Sequence, residues 1–223
     1  MSRVRILSEN EDFLVVYKPA GLAVQTAALT GDDIEHFLKR EGKTVLAPVN
    51  RLDQPVEGLV LFAKNSKAAA LLSAQLSDGR MEKEYFAACD GLPKENNAVA
   101  EDYLLTDRRT NLSKTVPPGT KGAKKAVLSY TLLEIQEEVS LLKVRLVTGR
   151  HHQIRCQLAN LKLPICGDMK YNTYFKGKGF PALCAFRLSF IEPGTKKRVS
   201  FSVSPENPIF ERFHYFTGEE PRL

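Results

Sequence analysis

Two long stretches of alternating apolar and polar residues, separated by a short polar segment, limit the fold more than any other feature of the chain. The stretches are 127–134 and 139–147, and residues 135–138 lie between them. Alternation with a period of two is typical of a strand with one buried face, and two such strands with a short connection predict a hairpin. The same pattern predicts a second hairpin at 183–191 and 198–203.

The remaining patterns predict an α+β fold, with helices flanking a mostly antiparallel mixed sheet. Further strands are predicted at 13–17, 59–63 and 83–89, and helices at 32–40, 66–76 and 152–161. The first of these helices is expected to be capped by Thr30. Strands outnumber helices and neighbouring strands are joined by hairpins, so most of the pairing should be antiparallel. Because no repeat or linker marks a boundary, residues 1–223 are expected to form a single domain.

Composition narrows the class of protein. The chain has 223 residues, of which 43% are hydrophobic, enough for one sizeable core. It contains no apolar run of membrane-spanning length and no signal-peptide pattern, which predicts a cytoplasmic protein, with a monomer as the default state. The four cysteines lack Cys-x-x-Cys spacing and are expected to be reduced and buried, without zinc. They are Cys89, Cys156, Cys166 and Cys184.

Positive charge is concentrated in one segment. The net charge is +6, and the nineteen residues from Asp107 to Lys125 carry six basic side chains against one acidic one. The basic residues are Arg108, Arg109, Lys114, Lys121, Lys124 and Lys125. Interspersed proline and glycine predict an exposed, mobile loop. Such a loop suits a grip on RNA phosphates, and a solvated linker is the alternative.

An arginine and an aspartate stand two positions apart in a Pro/Gly-rich turn that leads into an apolar strand. They are Arg51 and Asp53, within residues 50–64. A carboxylate on such a turn offers a nucleophile or general base, and the guanidinium group can reach an anionic, planar substrate. The alternative is an ordinary surface turn, in which the aspartate caps backbone groups and the arginine is solvated.

Four sequence blocks together resemble the RluA-like family of RNA pseudouridine synthases. The blocks are residues 11–22, 50–64, 83–87 and 148–155, the last continued by 163–168 and Tyr171. They stand in the family's order and extend over nearly the whole chain. The chain departs from the family's usual His, Thr-Ser and Leu-His-Ala at Asn50, at Val56-Glu57 and at Cys184. The aspartate, the tyrosine and the second arginine of the family are all retained.

This resemblance implies isomerisation of a uridine in a tRNA or rRNA stem-loop to pseudouridine, without a metal or an organic cofactor. Asp53 would attack C1′ or remove the C2′ proton, and both routes stay open. Arg155 is expected to pair with Asp53, Tyr85 to stack on the target base, and Arg51 to fill the space left by the flipped uridine. Further RNA contacts are expected from Lys83, Arg150, Gln153 and the basic segment, namely Arg108, Arg109, Lys121, Lys124 and Lys125.

Family members often carry a small N-terminal S4 domain. The block at residues 11–22 leaves no room for this domain, so a catalytic domain alone is expected.

Two other functions stay open. One is an RNA-binding or RNA-folding module without catalysis, whose effects would survive the loss of Asp53. The other is a hydrolase that uses Asp53 and a histidine. His151 and His152 are expected at the start of a helix with side chains about 100° apart, and their spacing does not match a metal site.

Overall fold

The computed structural model describes residues 3–26 and 32–217. The chain folds into two compact units. The first unit comprises Met1–Lys83 and Cys184–Glu206, and the second comprises Glu84–Leu183 and Asn207–Leu223. The expectation that residues 1–223 form a single domain stays a prediction.

The described residues form eleven strands, four α-helices and one 3₁₀ helix. The strands are β1 (Arg5–Glu9), β2 (Phe13–Lys18), β3 (Ala47–Pro48), β4 (Glu57–Ala63), β5 (Glu82–Asp90), β6 (Asn97–Asp107), β7 (Leu112–Val116), β8 (Lys124–Gln136), β9 (Val139–Leu146), β10 (Leu183–Ile191) and β11 (Arg198–Ser202). The helices are α1 (Ile34–Arg40), α2 (Ser66–Ser77), α3 (Gln153–Asn160) and α4 (His214–Thr217), and the 3₁₀ helix is Pro208–Arg212.

A mixed sheet forms the frame of the first unit. Strand β2 pairs antiparallel with β1 and with β4, and β3 pairs antiparallel with β4. Strand β4 runs parallel to β10, which pairs antiparallel with β11. The core of this unit joins the sheet to α2 and includes Phe13, Leu59, Leu72 and Phe190. The rings of Phe13 and Phe190 meet edge to face with their centroids 5.1 Å apart.

Helix α1 begins at a buried aspartate. Asp33 Oδ1 accepts the backbone N–H of His36 at 2.8 Å, and Asp33 Oδ2 accepts hydrogen bonds from Thr26. Burial alone would raise the pKa of Asp33, but the hydrogen bonds from His36 and Thr26 outweigh it and lower that pKa to about 2. The observed cap is therefore Asp33. Thr30, the expected cap, lies outside the described residues.

An antiparallel sheet, in the order β5-β9-β8-β6-β7, forms the second unit. The hairpin predicted from the alternating stretches is confirmed as β8 and β9, which remain paired as far as Gln136 and Val139. Its connection is thus two residues, shorter than predicted, and Glu137 has the left-handed φ of 56° that such a tight turn requires. Leu104, Ala126 and Cys156 pack together, joining this sheet to α3.

Of the nineteen residues from Asp107 to Lys125, eight lie in paired strands and the other eleven form turns and connections. The predicted exposure of the basic side chains is confirmed, but the segment is not the continuous loop that was predicted. Strand β7 pairs with the end of β6, and Lys124 and Lys125 belong to β8. Residues 117–123 form two hydrogen-bonded turns between the strands. The alternation of β7 is hidden by its lysine and serine residues and becomes apparent only once β6 is beside it. We call residues 107–125 the basic arm.

The α+β class with mostly antiparallel pairing is confirmed. The predicted helices and strands are all present, with bounds shifted by a few residues, whereas β1, β3, β6 and β7 were not predicted. All four cysteines are free and buried, as expected. Within 3–26 and 32–217, no helix is both long enough and apolar enough to cross a membrane.

Gly58 provides a test of how tightly β4 and β10 fit. Its φ is +125°, and a Cβ at this position would lie 2.4 Å from the backbone oxygen of Ala185. We expect Gly58→Ala to lower the free energy of unfolding by roughly 3 kcal/mol or more, because backbone atoms cannot move aside. Urea unfolding measures this value.

Gly42→Ala is the matched control, because Gly42 also has a positive φ, +70°, but has open space where the Cβ would be. It should cost only about 1 kcal/mol, the penalty for a left-handed backbone. Equal losses in the two variants would contradict a steric role for Gly58.

Candidate active site

The turn that carries Asp53 is joined to the first unit's sheet by an asparagine. Asn50 is buried, its Nδ2 donates to the carbonyl of Leu59 at 3.2 Å, and its Oδ1 accepts the N–H of Leu61 at 2.8 Å. Asp53 itself is half-buried, and its backbone carbonyl accepts the N–H of Val56 at 3.0 Å. The asparagine that replaces the family's usual histidine therefore serves to anchor this segment to β4.

A second turn, residues 18–22, holds the aspartate-bearing turn in place. The carbonyl of Gln54 accepts hydrogen bonds from the N–H of Gly21 at 2.9 Å and from Nζ of Lys18 at 3.0 Å. Gln54 Nε2 donates in return to the carbonyl of Gly21 at 3.0 Å. Nζ of Lys18 also donates to the carbonyls of Pro19 at 3.0 Å and Leu22 at 2.6 Å. The two turns are thus fixed to one another by one backbone hydrogen bond and two hydrogen bonds from side chains.

Lys18 is a completely buried cationic side chain. Its three hydrogen bonds use all three donors of an ammonium group. Burial lowers the pKa of Lys18 to about 7, whereas the charges of Asp53 and Glu57 act to raise it. Lys18 therefore fixes the turn and also lies within electrostatic range of the carboxylate that the turn carries.

Two further departures from the family pattern, Glu57 and Cys184, lie opposite each other on β4 and β10. Glu57 is buried, and its carboxylate accepts the hydroxyl of Tyr17 at 2.8 Å and the N–H of Glu206 at 3.1 Å. Burial, followed by the charge of Glu57, raises the pKa of Tyr17. Cys184 is paired in register with Glu57, and burial raises the pKa of its thiol. Glu57 and Cys184 are therefore part of the packing next to the turn. Arg51, on the turn itself, is exposed at the surface.

Arg155, in the second unit, forms a buried two-point ion pair. Its Nε lies 2.7 Å from Oδ2 of Asp168, and its Nη2 lies 2.8 Å from Oδ1. Only 3% of Arg155 is exposed, and its guanidinium carbon lies 5.1 Å from the ring centroid of Tyr171. A bidentate interaction fixes the plane of the guanidinium group. Arg155 is therefore not a helix-surface residue, and its pairing with Asp53 stays a prediction.

Strand β5 carries two of the predicted residues. Tyr85 is 6% exposed and lies opposite Val144 of β9. Lys83 is two residues earlier, on the same face of the strand. Burial lowers the pKa of Lys83. The roles predicted for Tyr85 and Lys83 stay predictions.

Gln153 and Arg150 organise the turn before α3. Gln153 is buried, its Oε1 accepts from the hydroxyl of Thr148 and from the N–H of Arg150, and its Nε2 donates to Val127. Arg150 is exposed, and its Nε donates to the carbonyl of Lys125 at 2.8 Å. Gln153 thus holds the backbone that presents Arg150, and direct RNA binding by Gln153 stays a prediction.

The two adjacent histidines lie before α3 and not within it. His152 has a left-handed φ of 52°, and the imidazole rings of His151 and His152 are stacked with their centroids 3.8 Å apart. The expected divergence of about 100°, which assumes helical backbone, was therefore wrong. His152 Nδ1 lies 2.9 Å from the hydroxyl of Tyr171, and His151 Nδ1 lies 3.2 Å from Oγ of Ser113.

The basic side chains of the arm differ in whether a carboxylate lies beside them. Its side chains Arg108, Arg109, Lys121 and Lys124 are exposed. Lys125 is exposed too, but its Nζ lies 2.6 Å from a carboxylate oxygen of Glu101 on the neighbouring strand, and that hydrogen bond raises the pKa of Lys125. Lys125 therefore stays charged, but a neighbouring carboxylate offsets its charge more than that of the other cations in this set.

The site depends on residues whose roles sequence reasoning missed. Lys18, Asp168 and Tyr171 lie inside the matching blocks, but nothing in their spacing shows that they hold Gln54 and Arg155. A buried lysine or aspartate is rare and needs a partner, and burial is not visible in a single sequence. Within the described ranges, no group of three or more His, Cys, Asp and Glu side chains could hold a metal ion.

Residues 12–160 match the family described as RNA pseudouridylate synthase. The chain is 33% identical over 209 residues to YlyB, an uncharacterized RNA pseudouridine synthase of Bacillus subtilis, covering 88% of the chain and 67% of YlyB. It is 28% identical over 241 residues to tRNA pseudouridine synthase C of Vibrio parahaemolyticus, covering 97% of the chain and 96% of that protein.

A solved human structure, RNA pseudouridylate synthase domain containing 1, shares the fold. It superimposes with a TM-score of 0.75 at 21% identity, over 92% of this chain and 84% of the human one. The chain spans about two thirds of the length of the first curated relatives it matches. It belongs to the RNA pseudouridylate synthase family. The class of enzyme predicted from the four sequence blocks is thereby confirmed.

The Arg155–Asp168 pair can be tested by a double-mutant cycle. Asp168→Asn should lower the free energy of unfolding by roughly 3–5 kcal/mol, because it leaves a buried guanidinium group without its carboxylate. In an Arg155→Met background the same substitution should cost about 1 kcal/mol or less, because no buried cation remains to be balanced. Denaturant unfolding of the four proteins gives the coupling, and equal costs in both backgrounds would argue against the pair.

Proposed function

We propose that this chain converts a specific uridine of structured RNA, in tRNA or rRNA, to pseudouridine with Asp53 as the catalytic carboxylate. The observation that carries this proposal is the attachment of the Asp53 turn to residues 18–22 by Lys18 and Gly21. A catalytic group must be held to within about 0.5 Å of its productive position. Three hydrogen bonds between the two turns provide that restraint.

The proposed reaction is an isomerisation in which no electrons are gained or lost. The bond from N1 of uracil to C1′ of the ribose breaks, the uracil rotates in the site, and a bond forms from C5 to C1′. C5 then loses its proton and N1 gains one, so the composition of the nucleoside is unchanged. Asp53 either attacks C1′ or removes the C2′ proton, and the two routes stay open. Because the chemistry requires no redox step, we propose that it proceeds without a metal or an organic cofactor.

The other residues take supporting roles in this proposal. Arg155, held rigidly by Asp168 and Tyr171, pairs with Asp53 and fixes its orientation. Tyr85 stacks on the target base. A uridine in a stem must be flipped out at a cost of a few kcal/mol, and Arg51 fills the vacated stack.

The basic arm supplies the proposed grip on RNA. The arm combines paired strands with hydrogen-bonded turns, which limit how far its side chains can move apart and so suit repeated phosphate binding along a backbone. Arg150 beside the arm extends this positive surface. One relative is named for tRNA and another for the large ribosomal subunit, which supports these two RNA classes as substrates. The monomeric state and cytoplasmic location stay predictions.

Asp53→Asn tests the catalytic assignment. The amide is nearly isosteric with the carboxylate but is neither nucleophile nor base, so pseudouridine formation should fall to background while RNA binding stays within a few-fold. Pseudouridine mapping across the transcriptome, in cells that carry the wild-type or the variant gene, identifies the substrate and measures the loss. Turnover near wild type would remove Asp53 from its role, and full RNA-dependent function without modification would favour the non-catalytic module.

The arm residues should contribute affinity and not site choice. Replacing Lys121 and Lys124 by Gln should weaken binding and reduce the slope of log K against log salt by up to roughly 0.7 to 0.9 for each phosphate that the protein no longer neutralises. Lys125→Gln is the internal comparison and should change the slope less, because Glu101 already neutralises Lys125. A shift of the modified uridine would instead make the arm a specificity element.

A further inference from the structure

Residues 169–180, which we call the aromatic loop, form a compact surface loop of which the proposed function uses only Tyr171. Its two ends meet. The N–H of Ala182 donates to the carbonyl of Cys166 at 2.9 Å, and a Cβ on Gly167 would lie 2.5 Å from the oxygen of Phe180. Compact loops with adjoining ends are packed by their own side chains and are frequently functional.

A buried asparagine fixes the conformation of the loop. Asn172 is 2% exposed, and its Nδ2 donates to Oδ2 of Asp90 at 2.5 Å and to the carbonyl of Ile165 at 3.1 Å. Its Oδ1 accepts the backbone N–H groups of Tyr174 at 3.1 Å and Phe175 at 3.2 Å. The backbone that carries these two aromatic residues is therefore tied directly to the interior of the second unit.

The two aromatic side chains point in different directions. The ring of Phe175 folds back over Gly177, where a Cβ would lie 2.7 Å from the ring. Tyr174 is 82% exposed. A flat aromatic side chain presented to solvent by a fixed turn loses little conformational freedom when it binds, and it offers a face on which a nucleic-acid base can stack.

The charged residues of the aromatic loop are all positive. The aromatic loop contains Lys170, Lys176 and Lys178 and no acidic residue, a net charge of +3. Met169 and Phe180 of the loop are exposed as well, but the three lysines distinguish this surface from the charge-depleted apolar patch expected of a protein-docking surface. The loop matches the combination of stacking ring and phosphate-binding charge found in proteins that bind single-stranded nucleic acid.

The aromatic loop also touches the basic arm within the same unit. Nζ of Lys170 donates to the carbonyl of Asn111 at 3.1 Å, and the hydroxyl of Tyr171 accepts the N–H of Ser113 at 2.7 Å. The carboxylate of Asp168 accepts the N–H of Lys170 while it binds Arg155. The loop, the arm and the proposed catalytic arginine are thus connected by direct hydrogen bonds.

We propose that the aromatic loop is an RNA-binding element in which Tyr174 stacks on an unpaired base and Lys176 and Lys178 bind the neighbouring phosphates. This inference rests on the proposed function, and it deepens that function by assigning the recognition of unpaired nucleotides beside the modified stem. A base inside a duplex has both faces covered by its neighbours, so Tyr174 favours single-stranded over paired RNA.

Two RNA probes test the stacking role, single-stranded oligouridine and a blunt-ended RNA duplex of the same length. Tyr174→Ala should weaken binding of oligouridine roughly 5- to 150-fold, the loss of one base stack. It should leave the Kd for the duplex within about two-fold, because the phosphate interactions persist. Tyr174→Phe keeps the ring and should bind oligouridine nearly as wild type does. Unchanged binding in Tyr174→Ala, or equal losses for both probes, would overturn the inference.

Lysine substitutions test the phosphate binding. Lys176→Gln with Lys178→Gln should reduce the salt slope for oligouridine by up to roughly 0.7 for each lysine that binds a phosphate. Lys94→Gln is the matched control. Lys94 is exposed and precedes the first residue of β6, whereas the basic arm begins at the last residue of that strand. Its replacement should therefore leave the salt slope for oligouridine unchanged. An equal effect for each lysine replaced, in the loop and at Lys94, would mean that net charge alone, and not this loop, binds the RNA.

Pseudouridine formation on the mapped substrate separates this inference from the proposed function. Wild-type protein that binds oligouridine through Tyr174 but modifies no RNA would refute the catalytic proposal and leave the loop assignment standing. An active enzyme whose RNA affinity and kcat/KM are unchanged by Tyr174→Ala would overturn the loop assignment alone. Unfolding midpoints equal to wild type confirm that each variant is folded.

Discussion

One buried ammonium group, Nζ of Lys18, is the interaction on which the first half of the candidate site depends. It binds three backbone carbonyls and so joins the turn of residues 18–22 to the turn that carries Asp53. A neutral side chain of the same length could not satisfy three acceptors, and each buried carbonyl left without a donor costs about 1–3 kcal/mol. The burial of Lys18 is therefore the reason that a surface turn can hold a carboxylate in a defined position.

The second unit uses buried charge in the same way. Asp168 holds the guanidinium group of Arg155 through two hydrogen bonds and also accepts the N–H groups that begin the aromatic loop. Replacing such a pair by apolar residues is often neutral for stability. Its value here lies in orientation, because it fixes the plane of the arginine and the start of the loop with one carboxylate.

The departures from the family's usual sequence are explained by packing. Asn50 binds two backbone groups of β4, and Glu57 binds Tyr17 and the N–H of Glu206. Cys184 on β10 lies in register beside Glu57 on β4. The next residue of β10, Ala185, approaches position 58 of β4 so closely that only glycine fits there. These residues form structural contacts around the turn that carries Asp53. The departures therefore change the contacts that hold this turn, whereas Asp53, Tyr85 and Arg155 match the family's pattern.

Local pattern determined the hairpins, the three long helices, the burial of the cysteines and the identity of the family, because periodicity and short motifs are properties of neighbouring residues. Tertiary structure decided the rest. It placed eight of the nineteen residues of the predicted loop in strands, because β6 pairs with both β7 and β8. It buried Gln153 and Arg155, and it gave Lys18 and Asp168 their partners. Those pairings join residues far apart in the chain, and their energies arise only where folding excludes water.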